Sequence, residues 1–499
     1  MSRREFTKLT FGATVAVAMR SGLNPDTYYT ATQVNAPTLP IPDGKRLPFG
    51  WSAFAVDAST EGTILTFPKN LPDGPLRLRL TVAIDTREAK RMDVQSAQTT
   101  TLLGEFDLRF AYATEIYELL LSSEKARLLK QEGIRLRLTQ ASSPIWFLAP
   151  APDKTYAGLQ AHAIADTNSA TSENAFWNNF GSIRSVQQFS WMEGCVTDGL
   201  LDWWQQSHSP IAKKALETHF GLFFDKQQRL VYENARSEPA DGTIYGIECP
   251  LPMAALAQWQ PNHPALDLLI SYAQRKALPN GLIHDGALTT EGCYTLAYPL
   301  AVLARQRNDV SLARIALAQL QYRQEALVTS DIIYQRQNAD GTVKEYPNWG
   351  RGVVWYLLGM ARTLRALEPF INQLDTNVVN ELQARFNQTT ERLLAVRSAQ
   401  GYWHAFVGEP ETGIDTSATA GIAAALALAT RAGWLPAETL NRLAIIQQAL
   451  LTQVTPDGFL TGACQSNRGG IELQRNGYRV ISQYAAGLMA QFLIALKSD

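Results

Sequence analysis

The 499 residues include only four cysteines and six histidines, which leaves little material for a metal centre. Cys195, Cys249, Cys293 and Cys464 are separated by 54, 44 and 171 residues, spacings that fit no zinc-ligand pattern, and no metal is expected. An even count permits disulfides in an oxidising compartment, whereas small buried thiols are the simpler expectation. No run of about 18 apolar residues occurs, so no membrane-spanning helix is expected. Excess charge is missing too. Lys and Arg number 45 against 46 Asp and Glu, with no basic run of the kind that grips a phosphate backbone, so no nucleic acid partner is expected. With 46% hydrophobic residues and a net charge of −1, the chain does not read as disordered.

What is present divides the chain into segments. Ser2-Arg3-Arg4-Glu5-Phe6-Thr7-Lys8 precedes a short apolar run from Leu9 to Met19, and Ala16-Val17-Ala18 suits a signal peptidase. Residues 1–20 therefore resemble a twin-arginine export signal, which implies a periplasmic or secreted protein. Residues 21–47, punctuated by Pro25, Pro37, Pro40 and Pro42, read as a linker. Between residues 48 and 152 the apolar period is two. Strands are predicted at 63–67, 76–82, 105–110, 115–119, 133–138 and 145–148, with a helical insertion at 122–131. Several short half-buried strands separated by turns argue for an all-β sandwich. Arg77, Arg79, Arg135 and Arg137 alternate with Leu and Ile and read as a solvated strand face. Residues 153–174 read as a second linker.

From residue 175 to 499 the period is helical and the chain repeats a plan. A Gly- or Pro-containing loop leads through a polar residue into a helix rich in small and apolar residues. The plan recurs at Glu193, Glu248, Glu291, Arg351, Asp415 and Gln483, at intervals of 43 to 68 residues. Each interval holds one small-residue helix and one amphipathic return helix, such as 312–320 and 378–394. Repeats of this kind imply stacked helical hairpins, and six could close into an (α/α)6 toroid. The fold expected is thus multidomain, an N-terminal all-β sandwich followed by an all-α toroid. Because every polar anchor precedes its inner helix, Glu193, Glu248, Glu291, Arg351 and Asp415 should surround one mouth. For the acids a capping role competes with this reading, most directly at Asp415-Thr416-Ser417. Arg351 is a cation at a helix start, where the dipole disfavours it, and something anionic nearby would resolve that conflict.

At these residues the chain resembles the unsaturated uronyl hydrolases, the glucuronyl and rhamnogalacturonyl enzymes of glycoside hydrolase families 88 and 105. Trp349-Gly350-Arg351-Gly352-Val353-Val354-Trp355 resembles that family's Trp-x-Arg-Gly-Asn-Gly-Trp stretch. Gly401-Tyr402-Trp403-His404 and Asp415-Thr416-Ser417-Ala418-Thr419-Ala420 resemble its Gly-x-Trp-His and Glu/Asp-Thr-Ser-Ala-Thr-Ala stretches. Thr290-Glu291-Gly292-Cys293-Tyr294 resembles the segment carrying its catalytic acid. The likeness covers about residues 175–499 and implies a six-hairpin glycosidase toroid. Departures are Glu291, and Glu248 near a second site, where the family places Asp, and Val353-Val354 in place of Asn-Gly. They make the chain a distant member or a sister family.

The resemblance implies hydration of the C4=C5 enol ether of an unsaturated uronic acid, followed by release of the sugar it was linked to. That chemistry needs a carboxyl held protonated near neutral pH, a second polar group for water and a cation for the uronate. Glu291 is expected as acid/base and Glu248 as its partner. Arg351 would fork onto the carboxylate, Trp349 and Trp403 would stack on sugar, and His404, Glu193 and Asp415 would complete the binding set. No cofactor is expected, and the partner is an oligosaccharide with a terminal uronic acid. Two carboxyls also suit an exo-glycosidase on saturated uronides, such as a β-glucuronidase. A lyase ranks lower, because only His284 and His404 fall in loops at the expected mouth. A non-catalytic glycan-binding protein is the reading from outside enzymology. For the β-rich domain three roles stay open: binding sugar, shaping the mouth, or mediating a homodimer.

Overall fold

The alternation between residues 63 and 148 becomes strands in a computed structural model that describes residues 28–151, 156–166 and 173–497. The export signal expected at 1–20 lies outside the described residues. In chain order the β-rich part runs β1 (Tyr29–Thr30), β2 (Gln33–Asn35), β3 (Ala53–Val56), β4 (Thr63–Thr66), β5 (Leu76–Thr81) and β6 (Ala89–Ser96). It continues through β7 (Leu102–Arg109), β8 (Ile116–Leu121), α1 (Ser123–Glu132), β9 (Ile134–Gln140), β10 (Ile145–Leu148) and β11 (His162–Ala165). One antiparallel sheet has the order β1-β11-β5-β8 and another β2-β4-β9-β6-β7, with β10-β3 as a separate pair. On β9, Ile134, Leu136 and Leu138 point inward and Arg135 and Arg137 outward, as a period of two requires. Leu78 and Leu80 from the first sheet meet Met92, Val94, Phe106 and Leu136 from the second in one apolar core. Two sheets closing over a shared core is sandwich packing.

Two expectations for this part need correction. Of the residues expected as linkers, 29–30 and 33–35 are strands of the two sheets, and 162–165 pairs between β1 and β5. The prolines hid strands too short to show a period. Arg79 is also not on a solvated face. It is fully buried, ion-paired with Glu118 at 2.7 Å and with Asp457 of the helical domain. Its strand face docks on the helices, whereas Arg77 pairs with Glu118 and Asp166 nearer the surface.

The helical part comprises α2 (Glu173–Phe180), α3 (Trp191–Ser207), α4 (Pro210–Phe223), α5 (Pro252–Trp259), α6 (Leu266–Lys276), α7 (Tyr298–Arg307) and α8 (Val310–Leu327). Then follow α9 (Gly350–Leu367), α10 (Thr376–Ala395), α11 (Thr416–Arg431), α12 (Thr439–Leu451), α13 (Gly470–Arg475) and α14 (Gln483–Lys497). Ser190, Ser209, Asp309, Asp375 and Asp415 accept backbone N–H groups at the starts of α3, α4, α8, α10 and α11. The helices α3, α5, α7, α9, α11 and α14 form a ring in which each packs on the next and α14 returns to α3. They are the six inner helices expected from the repeat, and α4, α6, α8, α10 and α12 pack behind them.

Small residues let the inner backbones touch. A Cβ on Gly487 would lie 2.4 Å from Cys195 O, and one on Gly199 would lie 2.8 Å from Gly487 O. Between Glu291 and α7 the chain widens into a π turn, Cys293–Ala297, and Gly359 of α9 backs onto it. A Cβ on Gly359 would lie 2.3 Å from the Cys293 carbonyl carbon. Gly359→Ala is therefore expected to cost about 1–3 kcal/mol, read as a lower unfolding midpoint, because a backbone cannot step aside as a side chain can.

The two domains share a continuous apolar seam. Trp51 stacks on Tyr156 at 4.4 Å, and both belong to the core that continues into the toroid. Lys45 and Arg46, inside the expected linker, strap across to the α4–α5 loop. Arg46 pairs with Glu233 and, at 2.7 Å, with Asp241. All four cysteines are buried and unpaired, in keeping with the small-thiol reading.

Candidate active site

A cavity of about 760 Å³ opens at the N-terminal end of the inner helices, where the ring meets the sandwich. Four pieces of chain build its wall. The sandwich supplies Arg87 and Tyr112, and the α4–α5 loop supplies Arg236, Tyr245 and Glu248. A small sheet of β12 (Leu288–Thr289), β13 (Tyr334–Gln337) and β14 (Lys344–Pro347) supplies Thr289, Gln335 and Arg336. The turn after β15 (Ala463–Cys464), a strand paired with β16 (Arg479–Val480), supplies Asn467 and Arg468. β12 runs directly into Glu291, and Thr290 N–H donates to Gln335 O at 2.8 Å, so sheet and acid move as one.

Glu248 and Glu291 face this cavity together, with Asp285 beside them. Burial pushes the Glu291 carboxyl up to about 8, with the charge of Glu248 adding to the rise. Arg351 and Arg336 oppose it, and among the described residues no group hydrogen-bonds its carboxyl. Glu248 is also raised, by burial first and then by Asp285, against Arg468, Arg87 and the Tyr245 hydroxyl at 3.4 Å. A protonated acid beside a hydrogen-bonded second carboxyl is the inventory of general acid chemistry at neutral pH. The cavity wall also holds uncommitted polar atoms. Gln335 Oε1 and Thr289 Oγ1 are buried with no partner among the described residues, as sites for sugar hydroxyls would be.

The other expected site residues lie outside this wall. Arg351 is buried beneath it, donating to Cys464 O at 2.5 Å, Gln465 O at 2.6 Å and the Tyr484 hydroxyl at 2.5 Å. Its guanidinium also lies over the Trp349 ring at 4.4 Å. Neutral carbonyl and hydroxyl oxygens and ring faces, in place of the anion expected, surround it, and it does not fork onto a ligand carboxylate. Trp349 is buried and donates through Nε1 to Gln474 Oε1 at 3.2 Å. Trp403 is buried and donates to Leu393 O at 2.8 Å, so neither indole offers a face to sugar. His404 sits on a bridge to Ile414, away from the cavity. Glu193 is buried between His219 Nδ1 at 2.8 Å and Gln187 N–H at 2.7 Å, bracing α3 against α4. Asp415 caps α11 through Ser417 N–H at 2.9 Å and also accepts Cys464 N–H at 3.1 Å.

These residues act on the site at one remove. Arg351 holds the carbonyls of Cys464 and Gln465, Tyr346 donates to Asn467 O at 3.1 Å, and Trp349 reaches Gln474, whose Nε2 donates to Ser466 O at 2.8 Å. The Trp-Gly-Arg motif therefore fixes the turn that presents Arg468. Sequence reasoning missed Arg87, Tyr112, Tyr245, Asp285, Arg336 and Arg468. They come from distant strands and loops with no local motif. The one signal for Arg468 was its place in a Gly-rich turn between the fifth and sixth inner helices.

Residues 314–497 match the sequence model of Glycosyl Hydrolase Family 88, which includes Arg336 and Arg468 but stops short of Glu248 and Glu291. A possible member of the GH105 family from Salmonella enterica serovar Paratyphi A superposes with a TM-score of 0.52, 16% identity, over 63% of this chain and 83% of that one. A glycoside hydrolase of family 105 from C. acetobutylicum superposes with a TM-score of 0.54, 15% identity, over 64% and 96%. The helical domain has the fold of these proteins, and the resemblance read from the motifs holds at that level. A homoserine kinase from Lactiplantibacillus plantarum is 30% identical over 144 residues, 28% of this chain. The match spans about half the length of that kinase, 47%.

Proposed function

We propose that this chain is a glycoside hydrolase for oligosaccharides ending in a uronic acid, and that it removes an unsaturated uronate by hydrating its enol ether. The observation that carries the reading is Glu291, a carboxyl held protonated by burial and by Glu248 in a cavity rich in arginine. Glu291 gives its proton to C4 of the enol ether, positive charge develops at C5, and water adds there. Glu248, whose charged form is disfavoured by burial and favoured by Arg468, orients that water and takes its proton. The resulting hemiketal opens and releases the aglycone sugar. The match to the family 88 model and the fold shared with family 105 structures support this reading.

The test follows the ultraviolet absorbance of the conjugated C4=C5 bond while the protein meets lyase-generated oligouronides. Loss of that absorbance is the expected result. No loss, with free glucuronate released from saturated oligosaccharides, would replace the reading by hydrolysis of a saturated uronide. Export by a twin-arginine route is part of the same proposal, checked by recovery of activity from the periplasm and its loss when Arg3 and Arg4 are replaced by Lys.

A pH profile gives a further prediction. Only the protonated form of Glu291 is active, so kcat/KM should fall as pH rises through about 8. In Glu248→Gln the neighbouring negative charge is gone, the Glu291 proton is held less tightly, and the alkaline limb of the remaining activity should move to lower pH.

A further inference from the structure

We propose that the carboxylate of the substrate's uronic acid is received on the sandwich side of the cavity, between Arg87 and Arg468, so that the β-sandwich completes the active site. The inference rests on reading the cavity as a uronide site, and it names the residues that would recognise the acid.

Charge points there first. Asp85 faces three cations, Arg87 Nε at 2.8 Å, Arg468 Nη1 at 3.3 Å and Lys45 Nζ at 3.5 Å. Glu238 takes part of the Lys45 charge at 3.6 Å, which leaves two guanidiniums beside one carboxylate at the edge of the cavity. Burial and the nearby Arg468 both disfavour the charged form of Arg87, a conflict that an incoming anion relieves. The other arginines near the acids are committed. Arg351 is held by carbonyl oxygens, and Arg336 is ion-paired with Glu345 and lies over the Tyr346 ring at 5.3 Å.

Geometry points there as well. The Arg468 guanidinium lies over the Tyr112 ring at 3.8 Å, and its Nη2 donates to Ala235 O at 2.7 Å, so its plane is fixed before any ligand arrives. Asp85 is fixed in turn, its backbone N–H donating to Ser237 Oγ at 3.0 Å. The Arg87 side chain is 44% exposed, and beside its Asp85 pair it is held only by a long 3.4 Å hydrogen bond from Nη2 to Ala235 O, so its Nη groups lie open to a ligand at the cavity. A largely buried guanidinium and a more exposed one, both forks, suit the two oxygens of a carboxylate. Both also act on Glu248 electrostatically, which places the bound acid next to the catalytic pair.

The experiment uses the full chain and the variants Arg87→Met and Arg87→Lys, chosen because Arg87 is exposed whereas Arg468 anchors a turn. With unsaturated oligouronides, Arg87→Met should raise KM by about tenfold or more while kcat stays within about threefold, the loss of a charged hydrogen bond made in ground and transition states alike. Arg87→Lys should recover part of the loss. Competition by free glucuronate should weaken in parallel and competition by glucose should not change. An unaltered KM, or equal weakening of glucuronate and glucose, would overturn the proposal. Should the wild type turn over no uronide, the functional reading fails by itself, and calorimetry then decides this point. A preference for glucuronate over glucose that Arg87→Met abolishes upholds the carboxylate site, and no such preference overturns it.

Discussion

Glu291→Gln is expected to lower turnover of an unsaturated oligouronide by about 10²–10⁴-fold, the range by which a positioned general acid contributes. The substitution keeps size and shape. Because the wild-type carboxyl is protonated near neutral pH, a neutral amide should leave the cavity's charge and the binding of substrate nearly unchanged. The expected signature is therefore a collapse of kcat with KM retained, measured by the ultraviolet absorbance of the conjugated bond. Glu291→Asp keeps an acid but withdraws it by one methylene and should fall between the two. A loss of under about tenfold in Glu291→Gln would remove Glu291 from the role of acid.

The second large effect is on stability. Arg79 of the sandwich is buried against Asp457 of the toroid, with the Tyr28 hydroxyl donating to the same carboxylate at 3.0 Å. Burial works against the charged form, yet Arg79 holds the Asp457 carboxylate below the ordinary range. Arg79→Met leaves that carboxylate buried without its cation and is expected to cost about 3–5 kcal/mol, seen as a lower unfolding midpoint. Adding Asp457→Asn to it should recover part of the loss, since no charge then lies buried unpaired. The sign with pH follows from the depressed value. The contribution of the pair is present above the unfolded carboxyl pKa of about 4 and is lost as pH falls below it. Wild type and Arg79→Met should therefore converge in stability under acid, and a constant gap between them would contradict the assignment.

The sequence carried its architecture in two periods. Alternation of Ile134, Leu136 and Leu138 against arginines marks a half-buried strand, and small-residue helices behind polar anchors mark a ring. Both patterns are local. What stayed hidden was set by contacts across the chain. Strands of two to four residues near Tyr29 and His162 are too short for a period: β11 exists because β5 offers a partner edge, and β1 because β11 offers the next. Glu248 and Glu291 were legible because each stands directly before an inner helix, at the same end of the ring. Arg351 stood there too, but its partners are carbonyls 113 and 114 residues away, so burial and not position decided its role. Arg87, Tyr112 and Arg468 meet only because two domains are docked, and no spacing in one chain announces that.

The closure of the ring bears on how the protein is made. The helix α3 rests on α14, the Gly199 and Gly487 contact being closed only when the two meet, and nearly 300 residues are synthesised between them. Until α14 emerges, Trp191 lacks the Tyr484 ring that packs 4.8 Å from it, and Gly199 lacks Gly487 and Ala490. Contacts of such long sequence separation form late, and a nascent chain in that state is exposed to aggregation. Ribosome-bound chains halted before α14 are thus the species a holdase chaperone would meet.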